Sequence, residues 1–164
     1  MGKLVMYGTS GVCRIEGTEK RCFDGKNENE YWKLIPLESE NSVYYIPMDT
    51  LDDKVRELAT RDEIESFLTT MQNIDPLAIS DVHKRREVFG NILRGGNYSE
   101  LISLIKLLNS EQQQRATTGK KLSMADEKVM HDAEKIMFQE FSVVLDMNME
   151  QVKTYIEGYL MTTE

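Results

Sequence analysis

The sequence predicts an α+β protein, a small amino-terminal β-barrel followed by an all-α carboxy-terminal bundle of about five helices. Up to Pro47 the chain alternates aromatic and β-branched residues with turn residues at short intervals. Beyond Pro47, apolar residues recur at three- and four-residue steps instead. The change is sharp, and it sets a boundary between residues 47 and 61. Residues 1–50 then read as one domain, 51–60 as a connector and 61–164 as the helical part.

The first strand is short and apolar and ends at Tyr7. Gly8, Thr9, Ser10 and Gly11 make the turn, the two glycines supplying the positive-φ geometry of a tight connection. A second strand alternates through Val12, Cys13, Arg14, Ile15 and Glu16 up to Gly17. Residues 31–35 (YWKLI) and 43–47 (VYYIP) are rich in the aromatic and β-branched residues that fit a pleated surface. Residues 24–29 (DGKNEN) and 38–42 (ESENS) read as the loops. Strands in this order look like a small SH3- or Tudor-like barrel, built to bind rather than to catalyse. Trp32 belongs to its core or to an interface.

Thr60 with Glu63 is a capping-box pattern that opens a helix over Ile64, Phe67, Leu68 and Met71, interrupted at Asp75–Pro76. A second helix is expected from about Ser80 to Leu93, stopping at Gly95–Gly96. The third starts near Asn97 or Ser99, and its band of Leu101, Ile102, Leu104, Ile105, Leu107 and Leu108 predicts the most buried helix. The polar stretch 111–121 reads as a connection. Ser123, with Asp126 and Glu127, begins a fourth helix whose stripe is Met130, Ala133, Met137, Phe141 and Val144. Asn148 caps a last helix with Met149, Val152, Ile156 and Tyr159 at helical steps. The ten methionines lie mostly on these stripes, as plastic core filler.

No constellation for catalysis emerges. His83 sits in a basic run and His131 on an expected solvated flank, and neither has a second histidine or a cysteine at metal-ligand spacing. Cys13 and Cys22 form no CxxC pair; Cys13 is a small core residue in an alternating strand. Gly8–Gly11 lacks the lysine of a phosphate loop, and Asp62–Glu63 and Asp52–Asp53 are ordinary surface acids. The chain therefore reads as a non-enzyme that needs no cofactor and no metal. Two reduced thiols, no signal-peptide pattern and no apolar run of membrane-spanning length point to the cytoplasm and away from a membrane. A monomer is the simplest oligomeric state.

Charge narrows the partners. The net charge of −8 disfavours a protein that grips nucleic acid unaided, because non-specific affinity comes mostly from neutralised phosphates. The total hides a local reversal: residues 82–94 hold Lys84, Arg85, Arg86 and Arg94 against Glu87 alone, a formal +3. Lys120 and Lys121 make a smaller basic pair ahead of Ser123.

VMYGTSGVCRIEG at residues 5–17, then Tyr31 and Leu34, then Tyr45, Ile46 and Pro47, resemble the amino-terminal module of the CarD/CdnL family of bacterial transcription regulators. The same module serves transcription-repair coupling factor as its RNA-polymerase-interacting domain. The second half is similar too: a basic helix closing in ILRGGN at residues 92–97, the run 101–108, GKKLS at 119–123 and a final helical pair. The resemblance spans essentially the whole chain, and is strongest to the versions found in Firmicutes-type bacteria.

What this resemblance implies is a two-part adaptor. The Tudor-like domain would dock on the RNA polymerase β subunit, partly by strand addition. The helical domain would lie by promoter DNA near the upstream edge of the −10 element and modulate the stability of the open complex. Arg21 matches a position where family members present a basic residue to polymerase; the position two before Pro47, basic in some members, is Tyr45 here. Lys84, Arg85 and Arg86 fall at the family's basic helix start and would contact DNA. Family members place a tryptophan just ahead of these residues, as a wedge at the edge of the DNA bubble. Depending on alignment, this chain holds Ala78, Ile79 or Val82 there. An adaptor that binds polymerase, or another ATPase or stress protein, without touching DNA is the second reading, favoured by the acidic total.

Overall fold

Five short antiparallel strands form one sheet in the computed structural model, which describes residues 2–161. They are β1 (Leu4–Met6), β2 (Val12–Arg21), β3 (Asn29–Pro36), β4 (Tyr44–Pro47) and β5 (Arg56–Glu57), in the order β4-β3-β2-β1-β5. The sheet curls into a half-barrel, the Tudor-like form expected of this half. Met1 and residues 162–164, the outer ends of the two expected domains, lie outside the described residues.

Alternation decides what the curl encloses. Val5, Cys13, Ile15, Leu34 and Ile46 are buried together, with Tyr7, Trp32, Tyr44, Leu51 and Val55 packed against them. The glycine turn between β1 and β2 is as read: Gly8 (φ 48°) and Gly11 (φ 81°) are left-handed, and the Tyr7 N–H donates to the Gly11 carbonyl at 2.9 Å. That turn places Val5 across from Cys13.

Two expectations for this half are corrected. β2 does not end before Gly17. Gly17 (φ 111°) sits in a register shift between Ile15 and Thr18, and the strand resumes to Arg21, pairing Glu19 with Tyr31 and Arg21 with Asn29. A bulge of this kind bends a strand without ending it. Strands also do not vanish after Pro47. Leu51–Lys54 form a single turn of helix, α1, and Arg56 and Glu57 pair with Met6 and Val5 to complete the sheet. The division by compactness falls at Leu58 and Ala59.

The second unit is helical: α2 (Arg61–Thr70), α3 (Arg85–Gly95), α4 (Tyr98–Ala116), α5 (Met124–Leu145) and α6 (Met149–Met161). Each start has a chemical cause. Thr60 Oγ1 accepts from the Glu63 N–H at 3.1 Å while Glu63 Oε1 accepts from the Thr60 N–H at 2.8 Å, the reciprocal capping box. Asn97 caps α4, Ser123 caps α5, and Asn148 with Gln151 makes a second reciprocal box at α6. α2 decays through a 3-10 turn, Met71–Asn73, whose carbonyl at Met71, with that of Ile74, accepts from Lys106 Nζ at 2.6 Å. Burial holds the Lys106 pKa below its ordinary value.

Three helical details differ from expectation. α3 begins at Arg85, preceded by a 3-10 turn over Val82–Lys84 that Asp81 caps through the His83 N–H (2.9 Å). It closes as read, with Gly96 left-handed at φ 65°. α4 continues to Ala116, because Glu111, Gln112, Gln113, Gln114, Arg115 and Ala116 are good helix formers and their polarity marks a solvated face, not a loop. The deepest burial is shared: Leu101, Ile102, Leu104, Ile105 and Leu108 of α4 pack with Ala133, Ile136, Met137, Phe138, Phe141 and Leu145 of α5, while Met130 and Val144 are half-buried. Glu140 is fully buried and accepts the Ala59 N–H at 2.7 Å. Of the methionines, Met6, Met71 and Met137 fill core, whereas Met48, Met124 and Met149 are exposed. Among the described residues no helix is long and apolar enough to cross a membrane.

Candidate functional site

Of the sequence-predicted site residues, Arg21 and Tyr45 come together. The shifted register after Gly17 sets Glu19 beside Tyr31, while the regular β3–β4 ladder sets Lys33 beside Tyr45, all on the alternate residues to those that enter the core. On this outer face the Arg21 guanidinium lies over the Tyr45 ring at 4.9 Å and over Phe23 at 5.9 Å. Phe23 contacts Tyr31 edge-on (5.0 Å between centroids) and Tyr45 (5.6 Å). Glu19 is the hub beneath: it accepts from Arg21 at 2.9 Å and from the Tyr45 hydroxyl at 3.3 Å, with Lys33 Nζ 3.6 Å away. The result is three aromatic rings and a stacked cation held at the surface, with Phe23 still 58% exposed. Alongside runs β4, one of the two edges of the sheet. Met48, 39% exposed, follows it.

The basic run behaves differently from residue to residue. Lys84 and Arg86 are exposed, with no ion-pair partner among the described residues. Arg85 is committed elsewhere. Its two terminal nitrogens donate to Glu111 at 2.6 and 3.1 Å, and Nη2 also meets Asp126 at 3.0 Å. Its guanidinium covers the Phe89 ring at 4.7 Å. Its hydrogen bonds to Glu111, and secondarily to Asp126, hold its pKa above the usual value despite partial burial. Arg85 thus ties α3 to α4 and to the first turn of α5.

Of the three wedge-position candidates, Ala78 is exposed, Ile79 half-buried, and Val82 is 73% exposed at the start of the 3-10 turn that ends in Lys84. His131 is exposed, and Cys13 is buried with its thiol 3.8 Å from the Gly11 carbonyl. Among the described residues no group of three or more histidines, cysteines or acids could hold a metal ion.

Sequence reasoning missed Phe23 and Glu19. Continued alternation from Cys13 and Ile15 would set position 19 on the core face; the bulge that turns it outward has Gly17 as its one sequence signal, and Phe23 lies past the end of β2.

Two family models match the chain in order. The CarD-like/TRCF RID domain matches residues 1–59, and the CarD C-terminal domain matches residues 66–157. No curated protein matches the chain.

Proposed function

From the premise that this chain belongs to the CarD-like family, RNA polymerase-interacting transcription factors and not enzymes, we propose that it docks on the polymerase β subunit through its half-barrel and modulates the open promoter complex. The observation that carries the docking half is the Arg21–Tyr45–Phe23 cluster beside an edge strand. Strand addition at β4 supplies main-chain hydrogen bonds and fixes orientation. The neighbouring aromatic rings and stacked guanidinium are the residue types that concentrate interface energy. Tyr45 replaces a basic residue without emptying the position, because its ring and the Arg21 cation act as one surface.

In the helical half, Lys84 and Arg86 contact phosphates, and Val82 offers the apolar face that a tryptophan gives other members. Arg85 acts through position, since its charge is balanced by two carboxylates. An acidic chain can work here because polymerase brings it to the promoter, and tethering raises the local DNA concentration.

Titration of the full chain against the isolated β lobe, without DNA, tests the docking. Binding at micromolar concentration is expected, weakened at least tenfold by Arg21→Ala with Tyr45→Ala; no binding would overturn the proposal. Lys84→Ala with Arg86→Ala should shorten the lifetime of the promoter complex and leave β-lobe binding intact. The second reading, an adaptor that does not touch DNA, is favoured by the net charge of −8. It requires the footprint around the −10 element to be unchanged by the protein.

A further inference from the structure

We infer that Ser103 and Lys106 of α4 are positioning residues: they clasp the chain that follows α2, so that residues 78–84 stand ready as a preformed bow for the promoter. This rests on the reading that Val82, Lys84 and Arg86 face DNA. Three observations carry it. The first is attachment. Residues 74–79 form no helix or strand, and α4 supplies the hydrogen bonds they lack. Lys106 Nζ donates to the carbonyls of Met71 and Ile74 at 2.6 Å each. Ser103 Oγ donates to the Asp75 carbonyl at 2.8 Å, and the Leu77 N–H donates to the Ser103 carbonyl at 3.0 Å. Pro76, between these two, has no N–H to place.

The second is length. The next fastening along the chain is Arg85, whose guanidinium is held by Glu111, again on α4. Leu77 to Arg85 and Ser103 to Glu111 are both eight residue steps. In a helix eight steps advance about 12 Å. Extended chain of the same count reaches about 26 Å. The 3-10 turn over Val82–Lys84 takes up part of the surplus, and the rest has to stand off the helix. Asp81 shapes what stands off, accepting the His83 N–H at its side chain (2.9 Å) and the Lys84 N–H at its carbonyl (3.0 Å). Val82 is 73% exposed as a consequence, and Lys84 is exposed beside it.

The third is the chemistry of the clasp. Lys106 is half-buried and gives two of its three N–H donors to main-chain carbonyls, whereas Lys84 and Arg86 are exposed. Met71, whose carbonyl it holds, is fully buried, so the clasp joins the bow to the core. A segment fastened at both ends before the duplex arrives loses little freedom on binding. An apolar wedge also needs a firm backing to part a base step, and a slack connection gives none.

Two measurements on the full chain test this. With polymerase holoenzyme and promoter DNA, the readout is open-complex lifetime; with trypsin and the chain alone, it is cleavage after residues 84–86. Lys106→Met keeps the stem and removes the donors. It should speed that cleavage by about tenfold, the worth of one charge-assisted hydrogen bond. It should also shorten the lifetime several-fold and leave β-lobe binding intact. Lys106→Arg, which can donate to both carbonyls, should restore both readouts. Ser103→Ala deletes one neutral bond and should speed cleavage by about threefold, with a shorter lifetime; it carries the test if circular dichroism shows Lys106→Met misfolded. In a Val82→Ser/Lys84→Ala/Arg86→Ala background, Lys106→Met should cost nothing further, because a positioning residue acts only through what it positions. An equal further loss there overturns the inference, as does wild-type cleavage in both single variants. So does a wild-type lifetime in both while the triple variant shortens it; in each of these cases the parent reading stands. A wild-type lifetime for the triple variant overturns the parent reading and this inference with it.

Discussion

Replacing Arg85 by alanine separates a structural cation from a DNA-binding one. In the folded chain its guanidinium makes three hydrogen bonds to two carboxylates, at 2.6, 3.0 and 3.1 Å. The side chains involved are only 26% (Arg85), 28% (Glu111) and 16% (Asp126) exposed. Exposed pairs contribute about 0.2–1 kcal/mol, whereas stripping one partner from a buried pair costs about 3–5 kcal/mol. This network lies between, so about 2 kcal/mol is expected, including the repulsion left between Glu111 and Asp126. For a unit of this size that lowers Tm by roughly 10 °C. Scanning calorimetry or thermal circular dichroism reads it directly. Arg85→Lys should recover only part, since an ammonium cannot make the bidentate contact. Arg85→Met with Glu111→Gln and Asp126→Asn should recover most, because no charge is then left without a partner. A wild-type Tm for Arg85→Ala, with a salt slope flattened by about one unit, would refute the reasoning and return Arg85 to the phosphates.

Two further predictions concern other parts of the molecule. Phe23→Ser should weaken binding to the β lobe by roughly tenfold, on the order of 1.4 kcal/mol, and leave Tm unchanged, because the ring is largely exposed and packs only within the surface cluster; equal binding would exclude Phe23 from the interface. Glu134 has its pKa raised by burial, against the opposing charges of Lys153 and His131. The folded state therefore holds the proton more tightly, and stability falls as pH rises from the unfolded carboxyl range through the raised folded value. Glu134→Gln should accordingly raise Tm at pH 7 and give no gain at low pH, and a gain independent of pH would contradict the sign.

What was legible in the sequence was local. The Thr60–Glu63 box, the caps at Asn97, Ser123 and Asn148, and the Gly96 stop all act within a turn or so of their own positions, so spacing alone reveals them. β5 was illegible because Arg56 and Glu57 carry no alternation; their pairing with β1 is supplied by a strand some fifty residues earlier. Polar composition hid both the far end of β2 and the last turns of α4, one a solvated strand and the other a solvated helix face. The candidate site divides the same way. Arg21 and Tyr45 were reached through resemblance, and their contact depends on a register shift at Gly17. The commitment of Arg85 was invisible, since its partners stand 26 and 41 residues along the chain.

The two borders of the half-barrel sheet are unequal, and the inequality bears on which one a partner strand could use. β5 is two residues long, both charged, with Glu57 clasped by Lys3 at 3.0 Å, so it offers too little main chain to recruit a neighbour. β4 is twice that length and joins the aromatic cluster. The longer run of main chain thus lies at the β4 border, the side on which the proposed docking by strand addition would take place.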